Sequence, residues 1–371
     1  MTVDPHAMPE AGGYAELAVT SNFSFLHGAS SPKHLVAAGV LQGHAGLGLA
    51  DRNTVAGVVR AWSALRSLRE HGLLPPDMRR EGSGPGEVLT EQDDTIDPSL
   101  SEEVRNRARA FKLVVGARLV FNDGTPDVVV YPENRTGWGR LTRLLTLGNR
   151  RARKGDCEIG LPDLLADPAD LLLIVMPPER LTGLAETLGR LTAAAPGAVW
   201  LAASMLRRGD DRRRLARLKT LAQQAQVPLL AVNDVLYHHP LQRDLQDVLS
   251  CIREGTTLEK AGRRLLANAE RYPKPTVEMR RLFQDAPDAV AESLEVLSRV
   301  DFDLKRDLRY EYPHETTPPG KTPQAWLEQL TWRSADMRYP DGIPDKVRET
   351  LSKELAFIET AGYAPYFLTI H

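Results

Sequence analysis

A chain of 371 residues, 42% hydrophobic and 26% charged with a formal net charge of -2, has the composition of a soluble globular protein, long enough for one large domain plus a second piece. That charge balance gives nucleic-acid binding no help beyond local basic patches. Two cysteines, Cys157 and Cys251, are too few for a disulfide framework or a four-cysteine zinc site, and no run reaches the roughly 18 apolar residues of a membrane helix, so a cytoplasmic protein without a membrane span is expected.

After an N-terminal tail at 1–13, short apolar runs alternate with helix-length segments. Strands are expected at 15–19 (AELAV), 46–50 (GLGLA), 112–121, 127–131 (DVVVY), 171–175 (LLLIV), 198–202 and 228–232, with helical spacing in 54–70, 136–147, 179–193 and 210–225. Strands followed by helices imply a mainly parallel sheet covered on its outside. Because no GxGxxG opens a helix after an early strand, a barrel-like closure is preferred to an open nucleotide-binding sheet. The stretch 75–103 is rich in Pro, Gly, Ser and acids and reads as a mobile insertion. Beyond residue 268 the alternation stops. Two helices are expected within 275–300, an extended proline-rich connector at 310–323, and a long amphipathic helix at 344–363 with Pro344 near its start. Tyr366, Phe367, Leu368 and Ile370 stand at the very end, the pattern expected of a cut through a domain.

In a parallel barrel, ligands gather at the C-terminal ends of the strands. Those ends carry Thr20 and Ser21; Asp51, Arg52 and Asn53; Ala117 and Arg118; and Asn233, Asp234 and Leu236, followed by Tyr237, His238 and His239. A hydrolytic metal centre needs several imidazole and carboxylate donors converging on each ion. Asp51 and Asp234 offer two donors and His238 or His239 a third, whereas Arg52 and Arg118 would repel a divalent cation. The bland alternatives are that Asp51 caps a helix or turn and that Asp234 is a loop acid paired with an arginine. Neither cysteine, nor the terminal His371, shows a nucleophile–base arrangement. Two arginine clusters remain. In 139–156, Arg150, Arg151, Arg153 and Lys154 fit phosphate-backbone contact about as well as a solvated helix face, while 205–219, with Asp210 and Asp211 interleaved, reads better as a solvated face.

Six ordered segments, YAELAVTSNFSFLHGAS, GLGLADRNTVAGVVRAW, FKLVVGARLVF, GWGRLTRLLTLG, LLAVNDVLYH and YAPYFLTIH, together resemble the N-terminal part of the error-prone, translesion DNA polymerases of the bacterial C family, the second type of polymerase III alpha subunit. The resemblance implies a distorted (β/α)7 barrel of the polymerase and histidinol phosphatase (PHP) type over 14–268, then the mainly helical, truncated start of a polymerase palm over 269–371. Metal-binding members of that family carry His-x-His where this chain has Ala18 and Thr20, Asp-His at Asp51 and Arg52, glutamate at Arg118 and Asp-x-His at Asp234 and Leu236. Two aspartates are kept, so the resemblance implies a decayed metal site, with the barrel serving as structural support and no metal or other cofactor in this chain. For the full-length relative it implies nucleotidyl transfer with magnesium, DNA as substrate, and a sliding clamp and damage-inducible accessory proteins as partners. The polymerase active site would follow the YFLT segment, so this chain alone should not polymerise. The alternatives are a free-standing PHP-type metal phosphoesterase using Asp51, Asp234 and His238 or His239, and a non-catalytic DNA-binding or adaptor fragment.

Overall fold

The computed structural model describes residues 13–75, 78, 98–308 and 317–370, the side chains of 98–100 excepted. All of the expected tail but Gly13, most of the insertion 75–103, part of the connector and His371 lie outside these residues. Two compact units result, Met1–Asp307 and Leu308–His371. The division falls well past residue 268.

In the first unit seven strands, β1 (Ala15–Val19), β2 (Gly46–Arg52), β3 (Lys112–Leu119), β4 (Val128–Pro132), β5 (Leu171–Val175), β6 (Val199–Ala203) and β7 (Leu229–Ala231), form one sheet in chain order. The reason for their predominantly apolar sequences is burial on both faces. In β5, Leu172 and Ile174 enter one core while Leu171, Leu173 and Val175 enter the other; in β4, Val129 and Tyr131 oppose Val128 and Val130 in the same way. The period of two along each strand thus divides one apolar run between two cores.

The sheet is mainly parallel, but β4 runs antiparallel to both β3 and β5. It also curls until its edges meet at one end. Val19 forms a parallel bridge with Val235 beyond β7, where Thr20 N–H donates to Val235 O (2.9 Å) and Val235 N–H to Ala18 O (2.8 Å). At the other end of the β1–β7 seam the helix Asp288–Arg299 packs on both strands, and Ala15 N–H donates to Ser293 Oγ (3.0 Å). The result is a partly closed barrel whose gap is filled by a helix. Close approach across the barrel sets one residue type: a Cβ on Gly48 would stand 2.2 Å from Tyr131 Oη, which donates to Leu17 O (2.9 Å).

Helices Val58–His71, Arg135–Arg151, Leu184–Ala194 and Asp211–Ala225 occupy the expected segments. A further helix, Pro98–Ala110, begins inside the stretch expected to be an irregular insertion. The second unit holds the helices Pro323–Arg338, Asp345–Ala361 and Ala364–Leu368, in which Leu330, Leu355, Ile358 and Leu368 are buried. Among the described residues no helix is long and apolar enough to cross a membrane.

Candidate functional site: the ion-paired rim of the barrel

The end of the barrel where β1 joins Val235 collects the segments singled out by sequence. Asp51, within the last residues of β2, is 1% exposed, and among the described residues it makes no ion pair. Its Oδ1 accepts from Ser21 N–H (2.7 Å) and Ser24 Oγ (2.7 Å), and its Oδ2 from Ser21 Oγ (2.8 Å). Burial raises its pKa, and the hydrogen bonds from Ser24 and Ser21 oppose that rise. Asp51 therefore ties the loop after β1 to β2, and its carboxylate caps no helix.

Asp234 sits in a different setting. It follows β7 with φ of 49°, a left-handed conformation that aspartate tolerates better than most side chains. Arg118 Nη1 donates to its Oδ1 (2.8 Å), Arg271 pairs with its Oδ2, and Arg271 Nε donates to its backbone carbonyl (2.7 Å). Burial would raise its pKa, but the Arg271 and Arg118 guanidiniums outweigh burial and hold it at about 2. Arg118 continues the network through Nε to Asp127 Oδ2 (2.8 Å), which Arg52 Nη1 also reaches (3.0 Å). Three guanidiniums and two carboxylates thus form one partly buried chain with a net positive charge.

The remaining positions hold no metal ligands. Ala18 and Thr20 contribute backbone groups to the seam with Val235, and Leu236 N–H donates to Arg271 O (3.0 Å). His238 accepts no such role either: its Nδ1 lies 2.8 Å from Ser30 Oγ and its ring stacks on His34. His239 Nδ1 accepts from Leu241 N–H at the start of a 3-10 turn. Among the described residues no three His, Cys, Asp or Glu side chains are grouped to hold a metal ion. The donor set does not fit a divalent cation, because both oxygens of Asp234 are taken by guanidinium groups and those of Asp51 by serines.

Three rim residues were not singled out by sequence. Asp127 and Arg271 complete the ion-pair chain, and His27 is pushed down to about 4 by burial and by Arg52, Arg253 and Arg118. A neutral His27 fits its geometry, since Arg253 Nη1 donates to its Nδ1 (3.3 Å). Below the rim lies a buried acid that sequence also passed over. Glu16 accepts from Tyr14 Oη (2.7 Å) and from the N–H groups of Asn233 (2.7 Å) and Ala18 (3.0 Å), yet burial lifts it to about 7.

The first arginine cluster ends the helix Arg135–Arg151. Arg151 pairs with Asp163 (2.7 Å), and Arg150, Arg153 and Lys154 are exposed around it. Cys157 and Cys251 are unpaired thiols on separate segments.

Over 96% of its length the chain is 48% identical to an error-prone DNA polymerase of Rhodopseudomonas palustris, covering 29% of that protein, and 48% identical to one of a Bradyrhizobium species, covering 28%. The chain is related to the error-prone DNA polymerases. Residues 325–371, in the second unit, match the family described as the bacterial DNA polymerase III alpha NTPase domain. The chain spans under a third of the length of these polymerases. A solved structure described as a candidate metal-dependent phosphoesterase of Bifidobacterium adolescentis is 14% identical, with 61% of this chain and 88% of that one aligned at a TM-score of 0.37. At that score the relationship to the polymerases rests on sequence, and the fold on the strand order above.

Proposed function

We propose that the chain is the N-terminal part of a polymerase for damage-induced translesion synthesis, in which the PHP-type barrel is a mechanical support without hydrolytic chemistry. The observation that carries this reading is the Arg118–Asp234–Arg271 arrangement, with Arg118 Nη1 2.8 Å from Asp234 Oδ1 where a metal would need a donor. An arginine is permanently protonated and cannot donate an electron pair to a metal. Ala18, Thr20, Asp51, Arg52, Arg118, Asp234 and Leu236 are on this reading a vestigial site. Nucleotidyl transfer, magnesium, DNA as substrate and engagement of a sliding clamp and damage-inducible accessory proteins are assigned to the longer protein, acting in the cytoplasm. Arg150, Arg151, Arg153 and Lys154 are proposed to touch the phosphate backbone, supported by their exposure and grouping.

The test is elemental analysis of protein purified without chelators, followed by a phosphoesterase assay with added manganese. We expect substoichiometric metal and no turnover. Stoichiometric manganese, with turnover abolished by Asp234→Asn, would establish a metal phosphoesterase instead.

A further inference from the structure

The second arginine cluster, read from sequence as a solvated face, does not act as a single group in the structure. Arg207 pairs with Glu270 and Glu278, and Arg214 donates to the carbonyls of Glu179 (2.9 Å), Pro177 (3.2 Å) and Pro178 (2.6 Å). Arg214 therefore fastens the loop after β5 to the helix Asp211–Ala225. Between that loop and that helix lies a groove of about 660 Å³. Arg180 lines it from the loop, and Arg213 and Arg217 line it from the helix. All three are exposed, and among the described residues none has an ion pair or side-chain hydrogen bond.

Arg213 and Arg217 are one helical turn apart, about 6 Å along the axis, a like-charge spacing that destabilises an isolated helix. Arg180 adds a third positive charge across the groove. Glu179 and Asp210 also line it, but with Arg214 included they leave the groove net positive. The loop after β5 and the loop preceding Asp211 both leave the C-terminal ends of parallel strands, so the groove opens at the same end of the barrel as the ion-paired rim. Its lining is predominantly polar and open to solvent, which suits an extended polyanion better than an enclosed apolar ligand.

We propose that Arg180, Arg213 and Arg217 form a backbone-binding groove for a DNA strand, contacting phosphates without reading bases. The choice of a DNA strand over other phosphate compounds rests on the polymerase reading above; the groove as a phosphate site rests on its own geometry. Arg214 holds the backbone of the loop that carries Arg180 against the helix that carries Arg213 and Arg217, and arginine forks match phosphate oxygens in pairs.

The experiment measures binding of a fluorescent oligothymidylate by the full chain across a salt series, using Arg180→Gln/Arg213→Gln/Arg217→Gln, the corresponding triple lysine variant, and Arg150→Gln/Arg151→Gln/Arg153→Gln. The glutamine triple should lose about tenfold or more in affinity and flatten the plot of log affinity against log salt by about 2, while the lysine triple keeps most of the binding. Tripolyphosphate should compete no better than its ionic strength dictates. An unchanged affinity and slope in the glutamine triple would overturn the groove, whether or not the Arg150 variant binds. Saturable tripolyphosphate binding tighter than the oligonucleotide would overturn the strand in favour of a free phosphate compound. The manganese assay separately tests the barrel's role, so failure of the groove and failure of that reading are distinguishable. Unchanged thermal unfolding of the glutamine triple, expected for exposed side chains without partners, confirms that it is folded.

Discussion

Replacing Asp234 by Asn removes the negative charge between Arg118 and Arg271 while keeping the size of the side chain. The three side chains are only 14–16% exposed, so water cannot fully screen what remains. A carboxyl held at about 2 instead of its ordinary 3.8 corresponds to about 2 kcal/mol of stability at neutral pH, and removing one partner of a buried pair costs roughly 3–5 kcal/mol when the stranded charges are included. The expected loss is therefore about 3 kcal/mol in urea unfolding at pH 7. The sign with pH follows from the depressed folded pKa: the contribution is complete above the unfolded pKa near 4 and is lost as pH falls toward 2. The difference between wild type and variant should accordingly shrink over that window. Removing Arg271 as well, in Asp234→Asn/Arg271→Gln, should recover part of the loss by relieving repulsion from Arg118. A single variant within about 0.5 kcal/mol of wild type at pH 7 would refute the ion-pair account of the rim.

Glu16 has the opposite sign, because its folded pKa of about 7 lies above the ordinary 4.5: the stability it allows is complete below pH 4.5 and declines as pH rises toward 7, by about 3 kcal/mol. Glu16→Gln should flatten that decline in denaturant titrations, and an unaltered pH profile would show that Glu16 titrates alike in the folded and unfolded chains. Gly48→Ala should cost about 3 kcal/mol or more, since its new methyl falls 2.2 Å from Tyr131 Oη; a melting temperature equal to wild type would mean the barrel interior is more compliant than its packing indicates. Tyr131→Phe loses the bond to Leu17 O and leaves that carbonyl with one partner fewer, worth about 1 kcal/mol by the same measurement. Arg118→Glu, which restores the glutamate implied by the family resemblance, places a third acid beside Asp127 and Asp234; we expect destabilisation by more than 2 kcal/mol in manganese-free buffer, and isothermal titration should show whether added manganese offsets it.

The strands were legible because burial on both faces leaves an unbroken apolar run, and LLLIV coincides with β5 for that reason. The direction of β4 was not drawn from the sequence, although the signal was there: residues 120–127 are too few for the crossover a parallel pair needs, which takes about a dozen or more. Missing that reversal also hid Asp127. It precedes β4, so only an antiparallel β4 brings residue 127 to the end of the barrel where Asp234 lies. Arg271 was hidden differently, since it joins the rim from a segment beyond the last strand, and no local spacing announces a contact across the fold. The helix Pro98–Ala110 was obscured by its polar sequence; Val104 and Ala108 are its described buried side chains.

The rim keeps two aspartates that the metal-binding pattern would use, yet meets their need for positive charge in unlike ways. Asp234 is neutralised by guanidiniums that are covalently part of the protein, so its charge is balanced without any ion from solution. Arg118 does more than compensate: by bridging Asp234 to Asp127 it links the segment after β7 to the start of β4, a mechanical tie that a metal bridging the same elements would otherwise provide. Asp51 needs no cation because Ser21 and Ser24 supply donors to both its oxygens, and the same bonds draw the loop after β1 onto β2. Each carboxylate thus fixes a loop at the end of the barrel where Val19 bridges Val235. A barrel that serves as a support, as proposed above, gains rigidity from such ties, and it gains them at any metal concentration. The consequence separates this rim from a catalytic one: chelation should leave its stability unchanged, whereas a metal-built rim would loosen.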